Sequence, residues 1–184
     1  MTQRATYSPG PATGAHVEKA GNDWTLVLVR ELRHSPAKVW KALTDPDQLK
    51  QWAPFETDRN LGSVGTAILS TVGANFVSET KVKRADVEKA LEYTWGGGDM
   101  RWQLEPNAGG TRLTLWAKIN RGFISMGASG WHICFDVLDH LLSGDPIGRI
   151  AGPDALQVDG WDRLNAEYAE QFGVRVPKLN KKGN

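Results

Sequence analysis

The chain of 184 residues has a single cysteine, Cys134. One thiol excludes an intrachain disulfide and a cysteine-rich metal centre, and it fits a reducing compartment, so a cytoplasmic location is expected. An excess of charge of either sign is also missing, because 22 Lys and Arg face 21 Asp and Glu and leave a formal charge of +1. With no basic run and no acidic tail, nucleic acid is not expected as a partner. No apolar stretch approaches the roughly 18 uninterrupted residues that a membrane-spanning helix needs, so membrane insertion is not expected either. Residues 1–21 mix Pro, Gly, Thr and Ala around Tyr7 and lack the apolar core of a secretory signal, and they read as a flexible N-terminal arm. Residues 175–184 read as a flexible C-terminal tail.

What remains, residues 22–174, has the size and apolar content of one globular domain with a proper core. Its unusual feature is tryptophan, eight in all. Trp24, Leu26, Val27, Leu28 and Val29 read as the first strand, over residues 24–33. Ser35 followed by Pro36 starts a short amphipathic helix over 36–43, and Asp45 followed by Pro46 starts a second over 46–52 that buries Leu49 and Trp52. Outer strands follow over 64–72 and 76–86, parted by a turn at Gly73.

The sharpest alternation comes next. Leu91, Tyr93 and Trp95 alternate with polar residues, Gly96 to Asp99 turn the chain, and Met100, Trp102 and Leu104 alternate again. The expected register pairs Trp95 with Met100 and Tyr93 with Trp102, all on one inner face. Leu113, Leu115, Ala117 and Ile119 continue that face, and Trp116 lies on the opposite one. After Gly127 the period lengthens to about 3.6 residues, with Trp131, Cys134, Phe135, Leu138, Leu141 and Leu142 forming a core-facing stripe. A second late helix runs from Trp161 to Phe172 and stops at Gly173.

The element order resembles the START-like (SRPBCC, helix-grip) superfamily. The segment Ser35-Pro36-Ala37-Lys38-Val39-Trp40-Lys41-Ala42-Leu43-Thr44-Asp45-Pro46, followed by Leu49 and Trp52 and later by Gly130-Trp131, resembles the branch of homologues of the activator of the heat-shock protein 90 ATPase. The resemblance covers about Trp24 to Ser143. It implies an α+β fold in which a curved antiparallel β-sheet wraps around long C-terminal helices, with two short helices after the first strand. The chain departs from the eponymous activators by lacking their separate N-terminal domain and by continuing for roughly forty residues after Ser143.

A twisted sheet cannot lie flat on a helix, so a gap opens between them that side chains or a ligand must fill. Tyr93, Trp95, Met100 and Trp102 on the strands, Trp131, Phe135 and Leu138 on the helix, and Trp52 and Phe55 near the short helices are expected to surround it as ligand-binding residues. For any one aromatic, packing as plain core is the commoner fate. His132 is the candidate polar anchor at the cavity rim.

The remaining chemistry-bearing residues are weaker. His132, Asp136 and His140 recur every four residues, but a polar row along a helix more often forms a hydrogen-bonded edge than a metal site, so no metal is expected. Cys134 lies inside the apolar stripe, where a thiol is an inert hydrophobe. Gly96 to Gly98 lack the lysine and helix of a phosphate loop and read as a hairpin turn. Tyr168 and Glu167 suit acid–base chemistry, yet nothing pairs them with a second group.

The leading expectation is therefore the binding of a hydrophobic, aromatic or lipid-like small molecule in an internal cavity, with no cofactor and no identified catalytic residue. A cyclase, dehydratase or hydrolase using the same cavity is the first alternative, and a chaperone ATPase co-factor the second. The sequence leaves homodimerisation open.

Overall fold

The computed structural model describes residues 3–177. Residues 1–2 of the expected arm and 178–184 of the expected tail lie outside the described residues. The helices are α1 (Gln3–Thr6), α2 (Pro36–Thr44), α3 (Pro46–Leu49), α4 (Ile124–Leu142) and α5 (Trp161–Phe172). The strands are β1 (Ala15–Ala20), β2 (Asp23–Leu32), β3 (Phe55–Thr57), β4 (Gly65–Thr71), β5 (Val77–Val82), β6 (Arg84–Asp86), β7 (Ala90–Trp95), β8 (Gly98–Asn107) and β9 (Gly110–Lys118).

Local chemistry sets the two short helices. The Ser35 side chain accepts the Lys38 backbone N–H, and the Asp45 side chain accepts that of Asp47, each ahead of a first-turn proline. The second helix is shorter than expected, since regular bonding ends at Leu49 and residues 50–52 form a turn.

Six strands form one antiparallel sheet in the order β1-β2-β9-β8-β7-β6, and β3-β4-β5 form a second. The stretch expected as one strand over 76–86 is divided between them at Lys83. Beyond that bend the chain pairs with β7, while Thr80 Oγ1 accepts the Thr94 backbone N–H at 2.9 Å and ties the sheets together. The result is one curved wrap.

Two further expectations are corrected. Residues 15–20 are not a free arm: β1 pairs with β2 from Ala15 opposite Leu28 to Ala20 opposite Asp23, so a strand precedes the one expected to come first. In the β7–β8 hairpin Leu91 faces Trp102, Tyr93 faces Met100 and Trp95 faces Gly98. Gly96 and Gly97, at φ 59° and 79°, make a two-residue turn in which both central residues need positive φ. The shift from the expected register is two residues, which keeps every side chain on its face; a shift of one would have turned them all outward.

Helix α4 lies across the inner face and starts earlier than expected, with Gly127 inside it. Its C-terminal half buries Phe135, Leu138 and Leu142, while Leu141 is only half-buried. Trp52 meets Trp102 edge-on at 6.1 Å, Trp102 meets Trp131 at 5.5 Å, and Phe55 meets Tyr93 at 6.0 Å. Their polar ends are matched too: the Trp102 indole donates to Tyr93 Oη at 3.1 Å and the Trp52 indole to the Ala42 carbonyl at 2.9 Å. Trp116, on the outer face as the alternation requires, stacks beneath the Arg101 guanidinium at 3.8 Å.

Removing the central ring of this cluster should be costly. Trp102→Ala is expected to lower the unfolding free energy by about 3–5 kcal/mol, read from urea denaturation, with the m-value unchanged.

Candidate functional site

The side chains that α4 turns to the sheet are not of even size. Its C-terminal half carries Phe135 and Leu138, which fill the space; in its N-terminal half the Ile119 side chain stands where a Cβ of Gly127 would be, while Gly130 faces open space. A cavity of about 730 Å³ opens there, within the range of small-molecule sites. Thr71 of β4, Trp95 of β7, Met100 of β8 and Ala117 of β9 form its sheet side, and Gly127, Gly130, Trp131 and Cys134 its helix side. The segment after Ser143 closes it, through Ala151, Gly152, Ala155 and Trp161.

At the mouth stand Phe76, Phe123 and Leu156, exposed by 47%, 58% and 37% although large and apolar. Polar wall groups are few and mostly engaged. Thr71 Oγ1 accepts the Trp95 indole N–H at 3.0 Å, Lys118 pairs with Asp23 at 3.0 Å, and the Asn120 side chain accepts the Gly122 N–H at 2.8 Å. Burial pushes the Cys134 thiol up to about 12, so it stays protonated and inert at neutral pH.

Of the ten residues expected to bind ligand, Trp95, Met100 and Trp131 line the cavity. Trp52, Phe55, Tyr93, Trp102, Phe135 and Leu138 are not on its wall but are fully buried in the core, where Trp52 and Phe135 pack on Trp102 and Phe55 packs on Tyr93. His132 is not at the rim. It faces α5, with Nδ1 at 2.8 Å from Tyr168 Oη and Nε2 at 3.5 Å from Asp136. The sequence did not mark the residues after Ser143 or the two glycines of α4. A signal for the latter existed: Gly127 and Gly130 stand three apart beside Trp131, where an apolar stripe would otherwise continue.

Asp136 is the centre of a separate polar cluster on the far side of α4. It accepts from Arg30 of β2 and from Tyr7 Oη, each at 2.6 Å. Tyr168 Oη donates to the Thr13 carbonyl at 2.9 Å, so the N-terminal segment is held against α4 and α5. His140 sits near Asp145 at 3.8 Å, and no group of metal-ligating side chains assembles among the described residues. His132 and Asp136 take part in hydrogen bonds with Tyr168, Arg30 and Tyr7, and His140 lies apart from them beside Asp145.

The His132 imidazole is pushed below its ordinary value of 6.5, chiefly by burial, with Asp136 opposing and Arg30 acting in the same direction as burial. The folded protein therefore holds His132 neutral where the unfolded chain begins to take a proton. Stability present above about pH 6.5 is lost as the pH falls below it. Thermal unfolding followed from pH 7.5 to 5 should show a falling midpoint, and His132→Asn should remove part of that slope. A substitution at the closing segment should act differently: a Cβ on Gly152, at φ 57°, would stand 2.6 Å from the Val72 carbonyl oxygen. Gly152→Ala is expected to destabilise by about 1–3 kcal/mol in the same measurement.

A curved antiparallel sheet closed around a long helix, with a gap left between them, is the arrangement of the START-like helix-grip class. Within that class, the sequence pattern of the family described as activator of Hsp90 ATPase homolog 1-like protein matches residues 33–143, and the chain belongs to that family. No curated protein matches the chain. Among solved structures it is similar to a conserved protein of unknown function from Enterococcus faecalis, at 22% identity and a TM-score of 0.66, over 85% of this chain and 89% of that one. It is also similar to CalU16 from Micromonospora echinospora, at 19% identity and a TM-score of 0.59, over 91% and 97% of the two chains. For the protein MLL2253 from Mesorhizobium loti the values are 25% identity, a TM-score of 0.59 and coverage of 65% and 97%. The first two matches span more of this chain than residues 1–143 could supply, so they include part of the chain after Ser143; these likenesses establish the fold.

Proposed function

We propose that the protein binds an apolar, aromatic or lipid-like small molecule in the cavity between the sheet and the N-terminal half of α4. The observation that carries this reading is the apolar pocket itself, about 730 Å³ and open to solvent, walled by Trp95, Met100 and Trp131, with Gly130 leaving one turn of α4 bare of a side chain. The titratable side chains on its wall are Cys134, held protonated, and Lys118, paired with Asp23. That favours holding a molecule over acid–base chemistry on it. The apolar side chains Phe76, Phe123 and Leu156 stand at the mouth of this cavity rather than on a separate face, which favours ligand entry over a chaperone-docking patch.

Gly130 supplies the test. A Cβ there would meet nothing within 4 Å, so a larger side chain enters the cavity without strain. Gly130→Phe is expected to fold with stability equal to or above that of the wild type, since glycine in a helix interior costs about 1 kcal/mol relative to alanine. It is also expected to weaken binding of the uncharged dye N-phenyl-1-naphthylamine by at least about tenfold, the equivalent of 1.4 kcal/mol. Failure of the dye to bind the wild type, or equal binding by both proteins, would refute the reading.

A further inference from the structure

The apolar side chains around the cavity mouth come from separate parts of the chain. Phe76 closes the β4–β5 turn, Phe123 ends the 3-10 turn Arg121–Phe123 that leads into α4, and Leu156 lies on the 3-10 turn Gly152–Gln157. All three stay exposed, and Val77 beside Phe76 is exposed by 64%. Large apolar side chains gathered at one place in water mark a surface that meets something apolar.

The free charges beside the mouth are positive. Among the described residues no Asp or Glu lines the cavity or its mouth, and the charged side chain that does, Lys118, is bound to Asp23 at 3.0 Å. Arg121 lies in the chain between Asn120 and Phe123, both of which line the cavity. Its guanidinium stands 5.1 Å from the ring centre of the half-buried Trp24, and Lys19 Nζ, from the neighbouring strand, stands 4.2 Å from the same ring. Neither cation has a carboxylate within salt-bridge distance among the described residues. The carboxylates at this end of the sheet are engaged elsewhere: Asp99 of β8 holds Lys83 at 3.2 Å, and Glu18, on the opposite face of β1 from Lys19, lies with His16 at 3.7 Å. Asp154 of the closing segment is bound to Arg4 and, with Asp159, faces a separate groove.

We infer that the mouth seats on an anionic phospholipid surface, with Phe76, Phe123 and Leu156 entering the headgroup layer while Arg121 and Lys19 face the lipid phosphates. An aromatic ring gains by leaving water at a membrane interface, and a basic side chain is drawn to the negative surface potential of anionic lipid. A lipid surface is favoured over a protein partner because the apolar side chains surround an opening. A docked protein would plug that opening, whereas a bilayer is a reservoir of apolar molecules and is continuous with the cavity behind it. The docking stands on the residues of the rim and goes beyond the binding of a molecule inside.

Flotation of the whole chain with vesicles of phosphatidylcholine mixed with phosphatidylglycerol tests this. The protein should float with the mixed vesicles at about 0.1 M salt, and its affinity should fall at least about tenfold on phosphatidylcholine alone or at about 1 M salt. Lys19→Gln combined with Arg121→Gln should weaken binding to the mixed vesicles by at least about tenfold, and so should Phe76→Ser combined with Phe123→Ser. All four side chains are exposed, so the urea midpoints of both double variants should stay near that of the wild type. Absence of flotation with the mixed vesicles, or flotation that survives either pair of substitutions, overturns the proposal. Lys178, Lys181 and Lys182 would give the second result if they alone held the lipid. A mass that rises with concentration in sedimentation equilibrium and returns to the monomer in the Phe76→Ser, Phe123→Ser protein, without flotation, would make the rim a contact between copies and overturns it equally. Gly130→Phe leaves the rim intact and should float like the wild type. If the dye fails to bind the wild type while the vesicle results hold, the cavity reading fails and the docking stands; if the dye binds and the protein does not float, the docking fails and the cavity reading stands.

Discussion

The contact between α4 and the curved sheet governs the rest of the molecule. A straight helix touches a twisted sheet fully along only part of its length, and the side chains it carries decide what becomes of the remainder. Phe135, Leu138 and Leu142 meet Trp102 and its neighbours and make a solid interior at one end. Gly130 leaves the other end without a side chain. One helix thus both anchors the core and defines the empty space, and stability and binding are read from different turns of the same element.

The residues after Ser143 fit this division. Among the described residues they add no strand to the sheet; they lay a short helical turn and α5 across the open side, with Gly152 pressed against the Val72 carbonyl. On the opposite side of α4, Asp136 gathers Arg30, Tyr7 and His132, and α5 contributes Tyr168. The buried charge of Asp136 is matched by a guanidinium and a phenol, as a buried carboxylate requires. That cluster holds the ends of the described chain together and leaves the cavity wall to carbon.

Much of this was legible in the sequence wherever the signal was local. Ser35-Pro36 and Asp45-Pro46 mark helix starts because a hydroxyl or carboxylate must answer free N–H groups there, and Trp161 to Phe172 followed by Gly173 mark a helix and its end. Alternation told which face Tyr93, Trp95, Met100 and Trp102 share, but not their register, which depended on whether the turn used two glycines or four residues. Nor could alternation say how far along the helix each ring would lie, and that distance separates Trp95, on the cavity wall, from Tyr93, sealed in the core. Strand β1 was hidden because its inward residues, Ala15 and Val17, are small and stand among His16, Glu18 and Lys19. Residues 152–157 were hidden because a 3-10 turn of six residues that opens on Gly152 and Pro153 is too short to show an apolar period.

The Asp136 cluster also sets an order of events in the making of the protein. Residues 12 and 13 bond to residues 167 and 168, so the earlier segment finds its partners only after residue 168 has been made. Ala151, Ala155 and Trp161 are likewise late cover for the apolar wall around Trp95 and Met100. A nascent chain therefore shows that wall to its surroundings over an interval in which the sheet is already made and its cover is not.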